Sequence, residues 1–130
     1  MDFELTIPKV FENSSSREYI NDCCIGGDEI LNQIKDDIAS EMNIDKNLIE
    51  IYQEDWGWAL EFLKDKVTYL LAVSNTNESK AGKSFFTAYT EANRKEKKIF
   101  FNKTVDADVE LNRFSEIVSR LMKKNRFEVN

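Results

Sequence analysis

A chain of 130 residues with 42% hydrophobic and 32% charged side chains has the size and balance of one soluble domain, able to bury about two-thirds of the surface its unfolded form exposes. Two cysteines and no histidine exclude a four-ligand zinc set and a Cys–His catalytic pair, and a net charge of −6 argues against nucleic acid as a general partner. No apolar run approaches the roughly 20 residues that cross a bilayer, and Met1-Asp2-Phe3-Glu4 lacks the basic and apolar regions of a signal peptide. The expectation is a cytoplasmic protein with no membrane partner.

Phe3-Glu4-Leu5-Thr6-Ile7 alternates apolar and polar residues and runs into Pro8, the only proline, which has no N–H to give a ladder; this predicts a first strand. Ser15 and Glu18 match a capping box, so the following residues read either as a short helix with Tyr19, Ile20, Cys23 and Cys24 on one face, ending at Gly26-Gly27, or as a packed loop. The adjacent Cys23 and Cys24 cannot easily meet disulfide geometry and read as reduced thiols at the edge of the core, with a redox or metal-sensing pair as the alternative. Asp28 can cap a helix in which Ile30, Leu31, Ile34, Ile38 and Met42 form one apolar stripe. Its other side carries Glu29, Asp36, Asp37 and Glu41, and Asp36, Asp37 and Glu41 are candidates for docking a basic partner.

From Leu48 the period changes to two. Leu48 to Glu54 and Trp58 to Leu63 read as strands, and Val67 to Ser74 as a third whose Leu70 and Ala72 make the second face apolar as well, the pattern of a central strand covered on both sides. Lys64-Asp65-Lys66 predicts a hairpin connection, and the polar stretch Asn75 to Lys83 a mobile loop. Ser84 to Thr90 and Lys97 to Asn102 read as two further strands separated by the basic segment from Arg94 to Lys98. Leu111, Phe114, Ile117, Val118, Leu121 and Met122 mark a second helix, with Asp106 and Asp108 near its start and Lys123, Lys124 and Arg126 near its end, as its dipole favours. The sum is a single α+β domain over 1–130: a sandwich of a mostly antiparallel sheet of about five to six strands with two main helices packed on one face.

Glu54-Asp55-Trp56-Gly57-Trp58 holds both tryptophans between two strands. Gly57 permits a turn or bulge, Gly57 and Trp58 read as structural, and a carboxylate is expected to accept from an indole N–H or from turn amides. Glu54, Asp55 and Trp56 are candidates for contacting a partner. Ala81-Gly82-Lys83-Ser84 ends like a phosphate-binding loop but has Asn77 where the motif needs glycine, and a strand pattern where it needs a helix, so a hairpin turn is expected instead. Arg94 to Lys98, flanked by Phe85, Phe86, Tyr89, Phe100 and Phe101, would suit single-stranded nucleic acid, yet a solubilising hairpin tip over a phenylalanine core explains the same residues.

The charge is uneven. Residues 1–65 carry 16 acidic and 5 basic side chains, and residues 66–130 carry 8 and 13, so the molecule is electrically polar. Gly27-Asp28 followed by an amphipathic helix, then Leu48 to Tyr52 leading into Glu54-Asp55-Trp56-Gly57-Trp58 and a set of strands, resembles a group of small acidic bacterial proteins that look like immunity proteins of polymorphic toxin systems such as contact-dependent growth inhibition. The resemblance spans roughly residues 1–75. It implies a cytoplasmic, non-enzymatic protein, without cofactor or metal, that neutralises a cognate, basic toxin domain by direct binding. The alternatives are a small nucleic-acid-binding or regulatory module, or a carboxylate-based enzyme centred on Glu54 and Asp55.

Overall fold

Alternation with period two builds one seven-stranded antiparallel sheet, and the two apolar stripes with period 3.6 lay two helices across one of its faces. The structure, a computed structural model, describes residues 1–8, 18–97 and 102–130. Its elements are β1 (Asp2–Pro8), a 3-10 turn (Asp22–Cys24), α1 (Gly27–Met42), a second 3-10 turn (Lys46–Leu48), β2 (Glu50–Glu54), β3 (Gly57–Lys64), β4 (Val67–Lys80), β5 (Lys83–Lys97), β6 (Asn102–Asp106), α2 (Asp108–Lys124) and β7 (Glu128–Val129). The strand order is β2-β3-β4-β5-β1-β7, and β6 also pairs with β5. β1 lies along Lys83–Tyr89 of β5 and β6 along Asn93–Lys97, so the two follow each other on the same side of that long strand.

The covered face is the core. Trp58, Leu60 and Phe62 of β3 stand opposite Val73, Leu71 and Tyr69 of β4, and Ala88 and Ala92 of β5 continue the rows. Ile30, Leu31, Ile34, Ile38 and Met42 of α1 and Phe114, Ile117, Val118, Leu121 and Met122 of α2 are all buried against this surface, as their spacing requires. Phe62 stacks on Tyr69 at 5.1 Å between ring centroids, and Phe114 meets both rings edge-on at 5.7 and 5.2 Å. A buried hydrogen bond of 2.6 Å between the Thr90 and Ser115 hydroxyls ties α2 to β5.

Several boundaries differ from the sequence pattern, each for a physical reason. α1 is capped by Gly26, at φ 82°, and not by Asp28; Asp28 lies buried inside the first turn, where its carboxylate accepts from the Tyr19 hydroxyl at 3.0 Å. The short helix expected before it is a single 3-10 turn whose cap is Asn21, the side-chain oxygen accepting from Cys23 N, while Ser15 lies outside the described residues. β2 begins at Glu50 because Lys46–Leu48 closes a turn capped by Asp45.

β4 does not give way to a loop at Asn75. The Asn75 amide is buried, donates to Ile25 O at 2.9 Å and accepts from Asn77 N at 2.8 Å, so a polar residue takes a core position. A register shift between Asn75 and Ser79, with Asn77 at φ 64°, absorbs the irregularity, and the strand runs to the two-residue turn Ala81–Gly82. That turn is followed by strand, as the sequence implied for the Gly82-Lys83-Ser84 stretch. β5 is likewise continuous through Glu91–Arg94, because these residues still pair with Val67–Leu70 and Ala92 is a buried core position. The basic segment therefore begins within a strand, and Lys98 to Phe101, with most of the strand expected at 97–102, lie outside the described residues. β6 and the two-residue β7 had no counterpart in the expected elements.

Candidate interaction surface

The β2–β3 turn is sewn to the segment before α1 from several sides. Cys24 Sγ donates to Glu54 O at 3.1 Å, Ile20 N donates to Gln53 Oε1 at 2.8 Å, and the Asn21 side-chain amide donates to Asp55 O. The Trp58 indole donates to Cys24 O at 2.8 Å, so its acceptor is a backbone carbonyl and not the expected carboxylate; the ring is buried, with Tyr19 edge-on at 6.4 Å. Cys23 and Cys24 are free thiols, and burial pushes the Cys24 thiol above its ordinary pKa.

Two glycines make this packing possible. A Cβ on Gly27 would stand 2.8 Å from Trp58 Cδ1, so α1 can start against the indole only with glycine there. A Cβ on Gly57, at φ 151°, would stand 2.2 Å from Val73 O. β3 thus begins pressed against β4, Ser74 Oγ reaches Trp56 O at 2.5 Å, and Trp56 lies back over the sheet. One glycine separates two fates: Trp58 is 6% exposed beneath the helices, and Trp56 is 40% exposed over the opposite face.

Among the described residues, that opposite face is bare. β4 is central, as its pattern said, but among the described residues no element covers its outer side, and Leu70 and Ala72 remain half-buried. They floor an open groove of about 770 Å³, lined also by Trp56, Ser74, Thr87 and Tyr89. The register sets carboxylates around it: Glu61, Leu70 and Glu91 form one cross-strand row; Tyr52, Ala59, Ala72, Tyr89 and Asp2 form the next; and Glu54 and Glu4 end the row beyond. Among the described residues none of these carboxylates is in an ion pair. The Tyr52 hydroxyl donates to Glu61 at 2.8 Å, and burial, this bond and the charges of Glu61, Glu54 and Glu50 push its pKa up to about 12.

The candidate residues fall on two separate surfaces. Glu54, Asp55 and Trp56 are exposed at the turn that borders the groove. Asp36, Asp37 and Glu41 lie in the helix layer on the other side, where Glu41 accepts from Arg120 of α2 at 2.8 Å and Asp37 stands 3.9 Å from Lys124. The Arg120 hydrogen bond and charge hold the Glu41 carboxyl below its usual range. Glu91 and Tyr52 were not weighed as site residues from the sequence, although the doubly apolar pattern at Leu70 and Ala72 pointed to their face. Comparison with protein-family models, curated proteins and solved structures finds no match. No helix among the described residues is long and apolar enough to cross a membrane, and no group of three or more of them could hold a metal ion.

Proposed function

We propose that this chain is a binding protein that acts without catalysis, neutralising a cognate basic toxin domain by direct contact in the manner of the immunity proteins it resembles. On this reading it works in the cytoplasm. The observation that carries the proposal is the outer sheet face, which no described element covers: a groove of about 770 Å³ with exposed aromatic rings, bordered by carboxylates that have no ion-pair partner among the described residues. A face with an apolar floor and a carboxylate rim complements a cationic protein surface. Negative potential concentrated on one side also speeds encounter with a basic partner by about tenfold to a thousandfold. The test is coexpression with the product of the adjacent gene. Formation of a stable complex on gel filtration, with growth restored to cells that express that product, supports the proposal; a toxic neighbour that this chain neither binds nor counteracts refutes it.

A further inference from the structure

We infer that the bare sheet face is a receptor for an arginine- or lysine-bearing protrusion of a partner protein, with the cation held between the Glu61 and Glu91 carboxylates and its stem lying over Leu70 and Ala72. This rests on the binding-protein reading above and adds the surface and the chemistry of what it takes.

Glu61 and Glu91 flank Leu70 in one cross-strand row, and two strand spacings put their backbones about 10 Å apart. A guanidinium or ammonium fits that gap, and an aliphatic stem suits the floor of Leu70 and Ala72. Each carboxylate is already oriented, Glu61 by the Tyr52 hydroxyl and Glu91 by the Asn93 side-chain amide, and each keeps lone pairs to offer. Trp56, 40% exposed at the groove, supplies a ring face on which a cation can rest. The charge also decides against other occupants. A second copy would bring its own Asp2, Glu4, Glu54, Glu61 and Glu91 against the same set, and nucleic acid or an anionic membrane would meet like charge. The acidic face of α1 is the weaker candidate, because Asp37 and Glu41 already have Lys124 and Arg120.

The two tryptophans give a direct readout. In ¹⁵N-resolved spectra of the whole chain titrated with hexa-arginine, the Trp56 indole signal and the amides around Leu70, Ala72 and Tyr89 should move, while the Trp58 indole and the α1 amides stay in place. Hexaglutamate should move none of them. Trp56→Ala and the double variant Glu61→Gln with Glu91→Gln, each checked by thermal melting, should weaken the peptide at least tenfold. The matching neutralisation of Asp36, Asp37 and Glu41 should leave it unchanged. Shifts centred on α1, shifts spread evenly over the acidic surface, or unaltered affinity in the Glu61/Glu91 variant would overturn the inference. Growth protection by the intact protein, measured separately, distinguishes the failures: protection with no localised shift removes this surface and keeps the binding function, and localised shifts without protection do the reverse.

Discussion

The two faces of the sheet have similar apolar centres and opposite circumstances. On one, Leu60, Leu71 and Ala88 lie under two helices and are fully or almost fully buried; on the other, Leu70 and Ala72 stand one residue away in the same strand and stay half-buried with nothing described above them. The acidic residues divide in the same way. Asp37 and Glu41 of α1 face Lys124 and Arg120 of α2 across the helix pair, and the carboxylates of the outer sheet face have no ion-pair partner among the described residues. A carboxylate with its counter-charge supplied in the fold has little left to attract a partner, so net charge along the sequence is a poor map of where a partner would go.

The largest expected break in this comparison is at Trp58. Trp58→Ala removes the ring beneath the helices and the hydrogen bond to Cys24 O, and should cost about 3 to 5 kcal/mol in denaturant unfolding. A loss under about 1 kcal/mol would show that the covered face does not depend on it. Gly57→Ala comes next. The added methyl collides with Val73 O, so a loss of about 1 to 3 kcal/mol is expected, together with displacement of the Trp56 indole signal as the turn moves away from Ser74.

Tyr52 tests the outer face by pH. Its folded pKa, pushed up to about 12, exceeds the ordinary value of 10.0, so between these values the folded state holds the proton more tightly than the unfolded chain. The stability this gives is fully present below pH 10.0 and is lost as the pH rises through about 12. Tyrosinate absorbance should show a late-titrating residue that vanishes in Tyr52→Phe and shifts to lower pH in Glu61→Gln; a late step indifferent to Glu61 would separate Tyr52 from the acidic cluster. The smallest effect on stability is expected at Trp56. Trp56→Ala should change unfolding free energy by no more than about 0.5 kcal/mol while abolishing the localised response to hexa-arginine.

The apolar stripes of both helices and the positions of β1, β3 and the β3–β4 turn were legible because each depends on local periodicity or local turn chemistry. Asp65 and Lys66 take φ values of 50° and 67°, the mirror-image turn that suits a two-residue hairpin. What escaped was set by distant partners. Polarity at Asn75 and charge at Glu91 to Arg94 read as breaks, yet ladder pairing with β5 and β4 carries both segments as strand. Trp58, read as structural, is buried, and Trp56, read as a partner contact, is exposed. The indole's acceptor was not foreseen, because it comes from Cys24, which lies 34 residues earlier in the chain. The outer site was half visible: Leu70 and Ala72 announced a second apolar face, but only the register shows that Glu61 and Glu91 border it, and only the packing that no described helix covers it.

β1 carries a consequence for how the molecule assembles. Its neighbours in the sheet are β5 and β7, so the strand that starts near Met1 pairs with residues from Lys83 onward, and Met1 O accepts from Thr90 N at 2.9 Å. During synthesis this strand emerges well before its partner β5, while β2, β3 and β4 can zip together as neighbours in order. Closing so long a loop is entropically slow, and the β2–β4 meander is the natural early template. Leu5 and Ile7 should therefore be among the last core side chains to lose solvent, because their burial waits on pairing across that long loop.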